Sequence, residues 1–400
     1  MGTVLMTWEL GSGLGHILPL LTIGERFERR GHRVFMATRE LARTTSICGK
    51  SDIKSIQAPI FSPDQHVGRS FTGMAQILAA EGYSNAEALV RQLSKWDALF
   101  DEVRPVLVLA DYSPTALLAL RGTKIPKVNI GLSFCCPPDR FPLPHWWTGE
   151  GQIPTAQLAA EERTLTATIN RALAAKGKPA VERISQLFNQ VDELVLATYR
   201  EFDHFGGRGR ARYWGHWHAD SETPAAWPSG DHRRAFVYLR PFAGIEGVFG
   251  ALRQSGVQCL VHAGSIPESI RAEFEGQTIH FEAGLLPMGE VATQCDFAIV
   301  NGGHGTTASL LLAGRPCLVL PMTVEQWMNA YSVERAGAGA WLLPRFIDRF
   351  SSVLGEFLNG SRYLEGATRF ARRYAGFTPG EQIDELVDRM EGFMPSSAHT

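Results

Sequence analysis

Short, almost unbroken apolar runs separated by amphipathic stretches are what most limits the folds open to this chain. TVLMTW (3–8), RVFMAT (33–38), DIKSIQ (52–57), VLVLA (106–110), KVNIG (127–131) and ELVLAT (193–198) read as strands, and 16–30, 70–82 and 85–103 as helices. Strands apolar on both faces with helices between them belong in a parallel sheet covered on both sides. The rhythm lapses over 204–232, a stretch rich in Gly, Arg, Trp, His and Pro. It then restarts with AFVYLR (235–240), VQCLVH (257–262), TIHFE (278–282), DFAIV (296–300), PCLVL (316–320) and GAWLL (339–343). A length of 400 residues also exceeds one ordinary core.

The expectation is therefore α/β: two doubly wound, Rossmann-like parallel-sheet domains facing across a cleft at the carboxyl ends of their strands. The first domain is placed at 1–205, the linker at 206–232, the second domain at 233–380, a terminal helix at 381–391 and a tail at 392–400.

Composition excludes several classes. A net charge of −2 argues against a general nucleic-acid binder or a polybasic membrane surface. No apolar run reaches the ~20 residues of a spanning helix, and the first residues lack the basic start of a signal peptide. The six cysteines have no CxxC spacing and lie mostly in apolar runs, so buried free thiols and a reducing, cytoplasmic compartment are expected.

Two glycine loops carry the chemistry. The first, GSGLGHILP, follows the first strand and opens the first helix. Its glycines let backbone amides approach a ligand at the positive end of a helix. Within it, Ser12 and Gly13 are candidate ligand-binding residues, and His16 is a candidate general base whose competing reading is a helix cap. A dinucleotide fold would need an acid about 20 positions on, and Glu40 is only a loose candidate. Asp111, at the end of VLVLA, reaches the same sheet edge as His16. A carboxylate there would fix the imidazole tautomer, or simply cap the next helix.

The second loop lies in DFAIVNGGHGTTASLLLAGRPCLVLP (296–321). After the strand, Asn301, Gly302, Gly303, His304, Gly305, Thr306 and Thr307 lead into a helix, offering amides, hydroxyls and a helix dipole to an anion such as a diphosphate. No Walker A spacing occurs. Glu325 and Gln326 open another helix after the strand PCLVL, a carboxylate–carboxamide pair suited to sugar hydroxyls.

These motifs together resemble the family 1 glycosyltransferases of the GT-B fold, which include macrolide and flavonoid glycosyltransferases. GSGLGHILPLL resembles the family's opening loop, VLADYSP its aspartate segment, and LLPMGEVATQCDFAIVNGGHGTTASLLLAGRPCLVLPMTVEQWMNA its donor-binding signature. The resemblance implies that His16 is the base and Asp111 its partner. It places the donor diphosphate at Gly302, Gly303, Gly305, Thr306 and Thr307, and the sugar at Glu325 and Gln326. It implies inverting transfer without a metal or other cofactor, from a UDP- or dTDP-linked sugar to a small, hydrophobic acceptor. The chain has no DxD pair. Four departures stand out: Asn301 where the family has His, Ser309 where it has Glu, Leu285 and Met288 where plant members have Trp and Gln, and YLRP (238–241) in place of a serine-bearing loop. They leave the donor base open and allow a degenerate helper or scaffold protein; an epimerase or hydrolase on the same two-domain architecture is a further reading.

An acceptor pocket is expected around LSFCCPPDRFPLPHWW, with Phe134, Phe141, Trp146 and Trp147, and around Phe71 and Met74. Plain packing beneath a long loop is the competing reading. HWHAD (216–220) has the look of a metal motif but no supporting Cys or His cluster, so no metal is expected. Nothing fixes the oligomeric state, and a monomer suffices for a two-domain site.

Overall fold

The computed structural model describes residues 1–49, 51–61, 71–146, 153–206, 208–209, 211–217, 224–284 and 286–395. The chain divides into two compact units, Met1–Trp217 together with the chain from Thr378, and His218–Phe377. The sequence reading instead put the boundary across 206–232 and treated the last helix separately.

The first unit is built on β1 (Thr3–Trp8), β2 (Arg33–Thr38), β3 (Lys54–Gln57), β4 (Leu107–Asp111), β5 (Lys127–Gly131) and β6 (Glu193–Leu196). The order is β3-β2-β1-β4-β5-β6, and every pairing is parallel. β1 and β4 are buried along their whole length, which is why their sequences are unbroken apolar runs. The second unit repeats the plan with β7 (Arg234–Tyr238), β8 (Gln258–His262), β9 (Ile279–Glu282), β10 (Phe297–Val300), β11 (Cys317–Val319) and β12 (Gly339–Trp341). Its order, β12-β11-β10-β7-β8-β9, is the same winding. In each sheet the first and fourth strands are neighbours, and the connections leave them in opposite directions. Such a switch point opens a crevice at the strands' carboxyl ends.

The region read as one helix over 70–82 is a short helix, Met74–Leu78, followed by a π-helical turn, Ala79–Tyr83. Inside that turn Gly82 takes φ +97°, a left-handed geometry that an α-helix does not continue through. The helix Pro379–Glu391 packs on Leu14–Arg29 in the first unit. Buried Ile383, Leu386, Val387 and Met390 form its apolar face. Arg26–Asp384, Arg30–Glu391 and Arg212–Glu385 rim that face. Rim pairs of this kind contribute only about 0–1 kcal/mol each, so the apolar face holds the helix. All six cysteines are free and buried. Among the described residues, no helix is long and apolar enough to cross a membrane, and no cluster of three His, Cys, Asp or Glu could hold a metal.

Candidate functional site

Parallel pairing brings His16 and Asp111 together from 95 residues apart. Trp8, the last residue of β1, lies in register with Asp111, the last of β4. β1 then runs through a short loop into the helix Leu14–Arg29, whose first turn carries His16. The His16 Nδ1 lies 3.0 Å from Asp111 Oδ2, and the carboxylate is buried. With Nδ1–H donated to Asp111, the lone pair sits on Nε2, and the carboxylate stabilises the imidazolium that forms on proton uptake.

The surroundings hold this couple in place. The Trp8 ring stacks on His16 at 5.1 Å and 18°, and the Tyr112 ring lies on it at 6.0 Å and 25°. Tyr112, directly after Asp111, has φ +47°, an uncommon conformation for a side chain of its size. Gly131 comes close on another side, since a Cβ there would lie 3.2 Å from Asp111 Oδ1. Gly11 has φ +81°, and a Cβ there would meet His16 Nε2 at 2.8 Å. The loop glycine therefore leaves room for His16 Nε2. Glu40 Oε1 accepts a bond from the Gly13 N–H at 3.2 Å and braces the loop.

Glu9, which sequence reasoning passed over, is buried beside this couple. Its Oε1 accepts from the Thr115 N–H at 2.6 Å. Burial pushes its carboxyl up from 4.5 to about 8, against the lowering pull of hydrogen bonds from Thr115 and Ala116. Because the folded-state value is the higher one, folding binds a proton more tightly. The stabilisation is complete below the ordinary value of 4.5 and is lost as pH rises towards about 8. Thermal unfolding at about pH 5 and about pH 8 should therefore show a fall in Tm with pH that is smaller in Glu9→Gln.

At the second unit's switch point, β10 ends at Val300 and a turn leads into the helix His304–Leu312. Gly302 takes φ +90°, and a Cβ there would meet Val319 Cγ1 at 2.7 Å and the Gln326 carbonyl oxygen at 3.0 Å. Asn329 Nδ2 donates to the Gly302 carbonyl at 2.9 Å. The helix has no side-chain cap. Gly303 is exposed and Gly305 and Thr306 half-exposed, so the first amides of the helix, which have no partner within it, face outward. That is an anion-binding geometry.

Several residues assigned to the donor are engaged inside the unit. Asn301 accepts from the Arg240 N–H at 2.6 Å and donates to the Leu320 carbonyl at 2.7 Å, tying together three strand ends. The hydroxyl of Thr307 donates to the Gly303 carbonyl at 2.9 Å, and that of Ser309 to the Gly305 carbonyl at 3.0 Å. His304 is buried. Gln326 Oε1 accepts from the Met322 and Thr323 amides at 2.9 and 3.2 Å in a capping box with Thr323. Glu325 is half-buried in the same first turn. Arg240, exposed at the end of β7, was not picked out from the sequence; its only signal is its place after a buried strand.

The aromatic positions proposed for an acceptor differ among themselves. Phe134 and Trp146 are buried and stacked on each other at 4.5 Å, and Met74 is buried. Phe141 is 44% exposed beneath the Arg163 guanidinium. Phe71 lines a cavity of about 740 Å³ with Ala75, Ala79, Ala80, Glu161 and Leu165. Trp147, Leu285 and most of HWHAD (His218–Asp220) lie outside the described residues.

No protein-family model matches the chain. It is 24% identical over 332 residues to a PGL/p-HBAD biosynthesis glycosyltransferase of Mycobacterium tuberculosis, covering 74% of each. To a PGL/p-HBAD biosynthesis rhamnosyltransferase of Mycobacterium bovis it is 25% identical over 296 residues, covering 68% of this chain and 64% of the relative. Among solved structures, the glycotransferase of kitacinnamycin superposes with a TM-score of 0.72 at 18% identity, covering 98% of this chain and 99% of that one. The spinosyn rhamnosyltransferase SpnG complexed with thymidine diphosphate superposes with a TM-score of 0.64 at 16% identity, covering 96% and 100%.

Proposed function

We propose, for a chain that has the GT-B fold and stands among the family 1-like glycosyltransferases, inverting transfer of a sugar from a nucleoside-diphosphate donor to a hydroxyl of a small, hydrophobic acceptor. The His16–Asp111 hydrogen bond of 3.0 Å at a switch point carries this reading. His16 Nε2 takes the acceptor's hydroxyl proton as the oxygen attacks the anomeric carbon. The bond from that carbon to the diphosphate oxygen breaks, and the nucleoside diphosphate leaves with the electron pair. Asp111 stabilises the imidazolium. The outward amides around Gly303, Gly305 and Thr306 supply the partial positive charge that a diphosphate needs, which supports chemistry without a metal. Glu325 and the Gln326 amide are assigned to the sugar.

Thymidine diphosphate in structural neighbours favours a dTDP-linked donor over a UDP-linked one. The cavity beside Phe71 has the size of a small-molecule site and is assigned to the acceptor. Six free, buried thiols support the cytoplasmic placement.

The test is a thermal-shift screen of nucleoside diphosphates with and without EDTA. A dTDP- or UDP-dependent rise in Tm that EDTA leaves intact is expected. A rise that vanishes with EDTA would overturn the metal-independent reading. One observation favours a second reading. Asn301 and Ser309, which replace a histidine and a glutamate of the family, are tied to their own backbone, as a helper protein without donor binding would allow. No shift with any nucleotide, in a folded sample, would favour it.

A further inference from the structure

We infer that Glu9 is a positioning residue that ties the end of β1 to the turn carrying Asp111, and so sets the geometry in which Asp111 holds His16; the inference rests on the transferase reading for its catalytic consequence only. Two bonds make the tie. Glu9 Oε1 accepts from the Thr115 N–H at 2.6 Å, and the Leu10 N–H donates to the Tyr112 carbonyl at 3.1 Å. Between these anchors lie Ser113 and Pro114, and Asp111 directly precedes left-handed Tyr112. On the other side of Glu9, Trp8 stacks on the His16 ring and donates through Nε1 to the Leu10 carbonyl at 2.6 Å. One buried carboxyl thus lies between the two elements whose separation fixes the His16–Asp111 bond.

The chemistry of the pocket says which form of Glu9 does this. Glu9 is fully buried, a costly state for a carboxylate even with the pull of the Thr115 and Ala116 amides, and a more tolerable one for an acid. The charged and titratable groups packed around it reinforce this. Glu81, from the π-helical turn, raises its pKa, and Tyr83 from the same turn bonds Thr115 Oγ1 at 2.7 Å. Arg39, following β2, donates to the Glu9 backbone carbonyl at 2.9 Å and not to the carboxyl group. Asp111 and His16 face each other. The burial therefore favours the neutral acid of Glu9, whose shape and Oε1 acceptor a glutamine amide keeps at every pH.

The experiment compares full-length wild type, Glu9→Gln and Glu9→Ala by two readouts. The first is the His16 ring resonances, observed by NMR with labelled histidine. The second is the pH profile of kcat and of donor KM. In Glu9→Ala the hydrogen-bonded Nδ1 proton of His16 should broaden or shift, and kcat should fall about tenfold or more with donor KM unchanged, the signature of a displaced base. Glu9→Gln should keep the wild-type resonance and at least half of kcat near neutral pH, and should lack the decline in kcat that the wild type shows as pH passes about 8. A Glu9→Ala protein with wild-type resonances and kinetics would overturn the inference, as would a folded Glu9→Gln as impaired as Glu9→Ala. If Glu9→Ala does not fold, Glu9→Gln alone decides, through its resonance and its alkaline limb. A wild type that transfers no sugar would defeat the transferase reading, while the His16 resonance would still decide the role of Glu9.

Discussion

His16→Ala loses turnover by about 10²–10⁴-fold while its affinity for the donor nucleotide stays within about twofold of wild type. The magnitude follows from the role assigned to the ring. Removal of a general base raises the barrier to proton transfer in the transition state but takes nothing from ground-state binding of the diphosphate, which is assigned to the other unit. Asp111→Asn keeps an acceptor oxygen near Nδ1 at 3.0 Å but removes the charge that balances the imidazolium. Its turnover falls by about 10²-fold or more. Because the two side chains act as a unit, the double variant is scarcely worse than His16→Ala. Single-turnover kinetics and nucleotide calorimetry check all three proteins. Wild-type turnover in His16→Ala would remove the base from the account, and strongly additive losses would separate Asp111 from it.

Gly302→Ala loses donor affinity by at least about tenfold and also lowers stability. Its φ of +90° suits glycine, and the added Cβ meets the Gln326 carbonyl, a backbone atom, at 3.0 Å as well as Val319 Cγ1 at 2.7 Å. Conformational strain of this kind costs about 1–3 kcal/mol. Relief requires the turn to move, and the turn is what aims the first amides of the helix. Gly303→Ala is the control. Its φ of −59° is ordinary and a Cβ there meets nothing within 4 Å, so it folds with wild-type stability. Calorimetry with dTDP and thermal unfolding of both variants test the pair. Equal affinity and equal Tm in Gly302→Ala would show that the turn does not need this backbone.

The architecture was legible in the sequence because strands covered on both faces must be apolar throughout. β1 and β2 match their predicted limits, and most other strands differ by one or two residues at an end. The His16–Asp111 couple was legible for a related reason. Residues at the carboxyl ends of adjacent parallel strands meet, whatever the chain length between them. What could not be read was the direction of each polar side chain. Asn301, Thr307 and Ser309 look like ligand-binding residues by type and place, yet each bonds to nearby backbone carbonyls or amides. Ser and Thr within a helix commonly bond back four residues in this way. Likewise, the aromatic run after β5 was compatible with pocket or packing, and nothing in the sequence says that Phe134 and Trp146 stack on each other. Glu9 went unnoticed because a charged residue after a strand usually marks the start of a solvated loop. Only burial beside Thr115 distinguishes it.

Transfer of a sugar from a nucleotide onto a hydroxyl leaves a product that can be weighed. Mass spectrometry of a pooled set of small hydrophobic acceptors, incubated with each of several dTDP- and UDP-linked sugars, tests it most directly. The expected result is an acceptor heavier by one sugar residue, an equimolar amount of released nucleoside diphosphate, and neither product with His16→Ala. Free sugar or an epimerised donor without any acceptor product, from a folded protein that binds the nucleotide, would contradict it.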